Sequence, residues 1–194
     1  MDDRLHTMLT VAEAIQDSPG FTTLFFNHSL EFNPGQFVMA WLPDIDEKPY
    51  TISFHTADRF ALTIEAKGRF SNRAAALLPG DTMGFRGPFG NGFQIRPGQQ
   101  AAVVAGGCGM APLAPLVERL DSENTLFIHG ARSKDFLLYP DRFEQDRLYC
   151  TDDGSQGHHG RVTDLLEEQI ASGPPIDTVY TCGPEIMMHH VFKI

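Results

Sequence analysis

The run from Ala101 to Pro112, Ala-Ala-Val-Val-Ala-Gly-Gly-Cys-Gly-Met-Ala-Pro, constrains the fold more than any other stretch of this chain. Residues 101–105 are apolar and uncharged, as a central parallel strand buried on both faces requires. Gly106, Gly107 and Gly109 then remove side chains where the backbone must turn sharply, and Pro112 suits the first turn of a helix. A strand, turn and helix in this order aim free backbone N–H groups and a positive helix end at whatever lies above them, and a diphosphate is the natural guest. The spacing is Gly107-x-Gly109-x-x-Pro112 rather than Gly-x-Gly-x-x-Gly. On its own the turn therefore reads equally as a dinucleotide site or as a tight strand-to-helix connection.

The residues that follow Pro97-Gly98 supply the context. Strands are expected over 101–105, 125–129, 147–151 and 178–181, alternating with helices over 111–120, 139–145, 162–170 and from 184 onward. That alternation predicts an open parallel sheet with helices on its faces, whose ligands sit beyond the carboxyl ends of the strands. The unusual residues fall there: the glycine turn, Gly130-Ala-Arg132, Asp152-Asp-Gly-Ser155 and Cys182-Gly-Pro184. Cys182 reads either as a small buried hydrophobe or as a group whose thiolate, or a bound anion, is favoured by the adjoining helix start. Cys108 and Cys150 read as structural. The pairs His158-His159 and His189-His190 lack a third ligand at metal-binding spacing, so no metal site is expected.

The first half has a different period. Short strands are expected over 7–15, 21–29, 36–42, 50–55, 60–66 and 82–87, separated by Ser18-Pro-Gly20, Asn33-Pro-Gly35, Pro43-Asp44, Ala57-Asp58 and Pro79-Gly-Asp81. Regular spacing of this kind suggests a small closed antiparallel barrel. Two places break the pattern. Lys48-Pro49-Tyr50-Thr51 puts a proline where a strand begins, which places Lys48 at an edge or mouth with an aromatic face and a hydroxyl just beyond it. Lys67-Gly68-Arg69-Phe70-Ser71-Asn72 leads into a helix over 71–78 with Ser71 as its N-cap, so it reads as a plain cap or as a second diphosphate cradle. Gly87-Pro-Phe-Gly-Asn-Gly-Phe93 reads as the crossover out of the barrel. The expected division is a barrel domain over 1–97 and an α/β domain over 98–194.

Composition narrows the partners. With 25 acidic against 15 basic residues the net charge is −10, which argues against nucleic acid or an anionic membrane. No apolar run approaches the roughly 20 residues of a bilayer-spanning helix, and the first residues form no secretory signal. The 3 cysteines are widely separated, so a reducing, cytoplasmic location is expected.

Together, Lys48-Pro-Tyr-Thr51, Lys67-Gly-x-x-Ser71-Asn72, Gly107-x-Gly109-x-x-Pro112 and Cys182-Gly-Pro184 resemble, in order and separation, the ferredoxin–NADP reductase superfamily. The loops Gly87–Phe93, Gly130-Ala-Arg-Ser-Lys-Asp135, Thr151-Asp-Asp-Gly-Ser155, Gly160-Arg-Val-Thr-Asp164 and Cys182-Gly-Pro-Glu-Ile-Met187 are similar in particular to electron-transfer subunits of NAD-linked dihydroorotate dehydrogenases. The resemblance implies that the barrel binds FAD. Lys48 would contact a flavin phosphate beside Pro49, Tyr50 would line the flavin, and Thr51 would approach its N5 region. Lys67, Gly68, Ser71 and Asn72 would cradle the diphosphate. It implies that Gly107 and Gly109 pass the diphosphate of a pyridine nucleotide, with Cys182 and Gly183 beside the nicotinamide. Thr51 and Cys182 would thus stand nearest the reacting atoms. Asp152 and Asp153 stand where NADP-specific relatives carry Ser-Arg; two carboxylates repel a 2′-phosphate and accept from a 2′-hydroxyl, so NAD is expected.

The partner implied is an FMN-containing dihydroorotate dehydrogenase catalytic subunit, in a heterotetramer that serves pyrimidine biosynthesis. The family also carries a [2Fe–2S] cluster on four cysteines beyond the Cys-Gly-Pro helix. This chain ends at Ile194 without them, so a truncated C-terminus, lacking the cluster ligands and a last strand, is expected. The same fold admits an electron-transfer subunit of a sulfide dehydrogenase, hydrogenase or ferredoxin–NAD(P) reductase, or a non-redox nucleotide-binding regulatory module.

Overall fold

In the first half, alternating apolar residues close a wall of strands around an aromatic core. The computed structural model describes residues 5–143 and 146–194. Strands β1 (Thr7–Ser18), β2 (Phe21–Phe26), β3 (Phe37–Leu42), β4 (Asp46–His55), β5 (Phe60–Glu65) and β6 (Thr82–Phe89) form a closed barrel in the order β1-β2-β5-β4-β3-β6. Every pairing is antiparallel. Phe26, Phe60 and Phe85 fill its centre, with Phe26 and Phe85 edge to face at 4.7 Å and Phe60 and Phe85 at 5.4 Å. Each buried ring is worth about 1.5–3 kcal/mol, and such edge contacts add roughly 0.5–1.5 kcal/mol.

The strand carrying Lys48 starts earlier than the sequence suggests. β4 begins at Asp46, so Pro49 lies inside it, opposite Met39 of β3. Its register with β5 begins only at Ile52. Pro49 is tolerated because the first half of β4 has a ladder neighbour on one side only, where a missing N–H costs little. Helix α1 (Arg69–Ala75) is also displaced: Gly68 is its N-cap, and Ser71 is its third residue rather than its cap. β6 extends through Gly87-Pro88-Phe89, so the crossover begins at Gly90 rather than Gly87.

Contacts divide the chain into two units, residues 1–93 and 94–194. In the second, β7 (Ala101–Gly106), β8 (Thr125–Ala131), β9 (Leu148–Thr151), β10 (His158–His159) and β11 (Thr178–Cys182) form a parallel sheet in the order β10-β9-β8-β7-β11. β7 is buried along its whole length, as its uncharged sequence requires. Helix α2 (Met110–Val117) lies against β7 and β11; α3 (Val162–Ser172) covers β7 and β8; α4 (Glu185–Val191) follows β11. Pro112 is the third residue of α2, within the first turn where its missing N–H is harmless. The helix expected over 139–145 is absent from its described part: Tyr139 has φ 55°, a left-handed backbone that no helix continues, and residues 144–145 lie outside the described residues. The edge strand β10, unforeseen in sequence, holds His158 and His159 beside Cys150 and Thr151.

The ends of β7 and β11 meet through glycine. A Cβ on Gly106 would collide with Met187 Sδ, one on Gly183 would lie 3.1 Å from Gly106 Cα, and one on Gly109 would overlap the Cys182 carbonyl. Gly107 differs: its φ is +51°, yet a Cβ there would meet nothing within 4 Å. Gly109→Ala is therefore expected to cost several kcal/mol or prevent folding, whereas Gly107→Ala costs about 1–2 kcal/mol of backbone strain. Urea unfolding of the two variants checks the order.

One buried group of the sheet titrates abnormally. His129 in β8 is fully buried, and neither ring nitrogen has a hydrogen-bond partner among the described residues. Burial, reinforced by the charge of Arg147, pulls its pKa from 6.5 to about 3. A base whose folded pKa is depressed stabilises the fold in full above its unfolded value and loses that contribution as pH falls from 6.5 toward 3, because only the unfolded chain takes the proton. The urea midpoint should drop between pH of about 7 and about 4, and His129→Phe should flatten that slope without loss of stability at neutral pH.

Candidate functional site

On the barrel, the half of β4 that is paired on one side only and the first turn of α1 come together. Tyr50 stacks on Phe70 of α1 with ring centroids 5.9 Å apart, and burial pushes its phenol above the ordinary value. The Ser71 hydroxyl accepts from the N–H of Lys67 and of Gly68, both at 2.9 Å, so it braces the turn from within the helix. The first intrahelical bond runs from Asn72 N–H to the Gly68 carbonyl at 2.8 Å. The amides of Arg69, Phe70 and Ser71 thus precede the helical ladder and have no acceptor within it. Asn72 is exposed on the same turn.

Both lysines singled out from sequence carry a carboxylate partner two residues back on the chain. Lys48 Nζ lies 2.6 Å from Asp46, and Lys67 Nζ lies 2.9 Å from Glu65. Lys48 holds the Asp46 carboxyl below its usual range, and Arg69 adds to the effect. Arg69 also reaches the Asp44 carbonyl at 3.5 Å, which brings a third cation to the lysine strand. Thr51, opposite Phe37, makes no side-chain hydrogen bond among the described residues, so its hydroxyl is open to a ligand. Cations, open amides, an aromatic face and a free hydroxyl form a donor set that suits a flavin dinucleotide.

At the carboxyl edge of the parallel sheet, the 107–109 turn is held against the end of β11 by the glycine contacts described above. Gly109 is consumed by that packing, and Gly107 alone presents an open face. Burial, with the nearby Cys108, raises the Cys182 thiol above its ordinary value, with the Gly183 backbone opposing. Of the two readings of Cys182 left open by the sequence, this favours the small buried group: desolvation outweighs the helix start, and the thiol stays protonated at neutral pH. Cys108 is exposed rather than structural, whereas Cys150 is buried, donates from Sγ to the Gly160 carbonyl at 2.9 Å and is pushed up to about 11 by burial.

Beyond β8 and β9, backbone bonds from Asp152 to Ala131 (3.1 Å) and from Asp153 to Arg132 (3.2 Å) tie the two loops together. The paired aspartates are not equivalent. The Asp153 carboxylate accepts from the Ser155 hydroxyl at 2.6 Å and from the Ser155 N–H at 3.0 Å, which holds its pKa down. Ser155 Oγ in turn accepts from Lys134 N–H at 2.8 Å. Asp152 is exposed, and its carboxylate makes no hydrogen bond among the described residues. The Arg132 guanidinium lies 5.0 Å over the Phe136 ring. Among the described residues, no group of three metal-ligating side chains comes together and no helix is long and apolar enough to cross a membrane. The three cysteines of this chain do not come together as a cluster-binding set.

Residues 103–193 match the family model of the oxidoreductase NAD-binding domain. The chain is 39% identical over 188 residues to a Methanocaldococcus jannaschii protein named probable dihydroorotate dehydrogenase B (NAD(+)), electron transfer subunit, covering 95% of this chain and 71% of that one. A Methanopyrus kandleri protein of the same name is 45% identical over 170 residues, covering 85% of this chain and 64% of that relative. Among solved structures, an NADH-dependent reduced ferredoxin–NADP oxidoreductase superposes with a TM-score of 0.84 at 26% identity, over 94% of this chain and 70% of that one. The FAD/NAD-binding domain of a Vibrio cholerae nitric oxide dioxygenase shares the fold, with a TM-score of 0.81 at 17% identity over 98% of this chain and 92% of that one. With its barrel, its parallel sheet and these relatives, the chain belongs to the family of dihydroorotate dehydrogenase B electron transfer subunits, within the ferredoxin–NADP reductase superfamily.

Proposed function

We propose that this chain receives electrons from a dihydroorotate-oxidising catalytic subunit and passes them to NAD⁺ through FAD held on its barrel. The observation that carries the reading is 39% identity over 95% of the chain to a protein named as such a subunit. The open donor sets on β4–α1 and at the sheet edge support it. The finer assembly, a heterotetramer with an FMN-containing partner in the cytoplasm, belongs to the same proposal.

FAD supplies the exchange between two-electron and one-electron transfer, which no side chain can perform. The chain's own residues bind and orient. Lys48, Lys67 and Arg69 offer charge to the diphosphate, and the first-turn amides of Arg69, Phe70 and Ser71 offer directional donors. Tyr50, with Phe70 behind one face, would present the other to the flavin ring, on a stretch of β4 that is paired with β3 alone. The Thr51 hydroxyl donates near the flavin N5. At the sheet edge Gly107 lets a diphosphate approach the backbone, while Gly109 and Gly183 hold the turn in place. Cys182, kept as a neutral thiol by burial, would lie beside the nicotinamide without adding charge there. Asp152 accepts from the adenosine ribose and repels a 2′-phosphate; Asp153 shapes the turn that presents it.

Purification with a dihydroorotate-oxidising subunit tests the reading. Stoichiometric FAD and dihydroorotate-dependent NAD⁺ reduction are expected, and a flavin-free complex inert toward dihydroorotate would overturn it. Likeness to a ferredoxin–NADP oxidoreductase favours one second reading, a ferredoxin-linked reductase; reduction of NAD⁺ by ferredoxin but not by dihydroorotate would select it. Coenzyme choice gives a sharper prediction. Asp152→Ser should raise the NADPH-to-NADH ratio of kcat/KM roughly fivefold to tenfold, the worth of about 1 kcal/mol of exposed charge repulsion. Asp153→Ser should change that ratio less and lower thermal stability more.

A further inference from the structure

The sheet edge carries two thiols that the proposed electron path does not use as nucleophiles. Cys108 is exposed on the 107–109 turn; Cys182 closes β11 and is partly buried; neither is in a disulfide. Three features bring them together. In the ladder between β7 and β11, Cys182 is paired with Ala105, three residues before Cys108. Gly109, the residue after Cys108, rests on the Cys182 peptide so closely that any Cβ would overlap its carbonyl and lie 2.7 Å from Gly183 N. Cys108 also adds, after burial, to what disfavours charge on the Cys182 thiol, as a neighbouring thiol would. The glycine packing removes the freedom that would let the turn swing its cysteine away from β11. Cys150 is a built-in contrast, buried and bonded to Gly160 in the core shared with α3.

We propose that Cys108 and Cys182 are a dithiol that a peroxide or a small disulfide closes into an intramolecular bond, shutting the nucleotide edge; the second half of this statement rests on the NAD reading above. Cys108, being exposed, meets the oxidant first. With hydrogen peroxide its sulfur takes one oxygen and releases one water, giving a sulfenic acid. The Cys182 sulfur then attacks that sulfur, and a second water leaves. Two S–H bonds are lost, one S–S bond forms, and the peroxide is reduced to two waters. With a small disulfide as oxidant, the same bond forms through a mixed disulfide at Cys108, and two small thiols are released. The closed bond straps the turn to the end of β11, on the side where Gly107 is open and Gly183 adjoins the nicotinamide position.

The test treats the flavin-loaded protein with hydrogen peroxide or oxidised glutathione, then counts thiols after denaturation and follows NADH binding by fluorescence. The reduced chain holds three cysteines and should titrate three thiols. The oxidised chain should titrate one, be lighter by two hydrogens, yield a linked 108–182 peptide and lose NADH binding until reduced. In Cys108→Ser the ratio of NADH affinities before and after oxidant should return to unity. Three remaining thiols, a capped Cys108 alone or a link between two chains would overturn the dithiol. A 108–182 bond with undiminished NADH binding would overturn the closure. A bond that forms in a protein with no NADH binding in either state would uphold the dithiol and overturn the nucleotide reading instead.

Discussion

The nucleotide edge depends on a contact made possible by missing atoms. β7 and β11 are adjacent parallel strands, and each must turn into a helix at the same edge. Two such turns compete for one space. Gly106 and Gly183 resolve the competition by letting the backbones touch, and Gly109 lets α2 start directly on the Cys182 peptide. Met187 of α4 then fills the hollow beside Gly106. Two helix starts are thereby set in one place, and a single methyl group at these positions would separate them.

The barrel solves a different problem. Its aromatic centre closes six strands, yet β4 is paired with β5 only from Ile52 onward. The stretch paired on one side only is stabilised by packing: Tyr50 lies on Phe70, a buried residue of α1. A segment with one ladder neighbour and an aromatic brace keeps backbone and side-chain groups available that a fully paired strand would use up.

Much of this was legible in residue order. The uncharged run over 101–105 and its glycines announced a buried parallel strand, and the turn residues of the first half announced a closed antiparallel barrel. What escaped depended on contacts between distant residues. Nothing near Pro49 in sequence reveals that β4 gains its second neighbour only at Ile52. Ser71 has the chemistry of a cap, but its hydroxyl reaches backward from the third helical position. Asp152 and Asp153 look interchangeable until Ser155 engages one of them. Cys108 looks like a structural residue because the pattern that surrounds it is structural. The helix expected over 139–145 fails at Tyr139, whose left-handed backbone no propensity scale foresees.

The pairing of Lys48 with Asp46 and of Lys67 with Glu65 has a consequence for how an anionic cofactor arrives. Each lysine already has a counter-charge, so on the function proposed above a phosphate would displace a tethered carboxylate rather than fill an electrostatic hole. Dissolved salt weakens the outgoing pair as well as the incoming one, so the two dependences oppose each other. Loading would then be an exchange between internal and external anions, with the displaced carboxylates at hand to recapture the two lysines when the cofactor leaves.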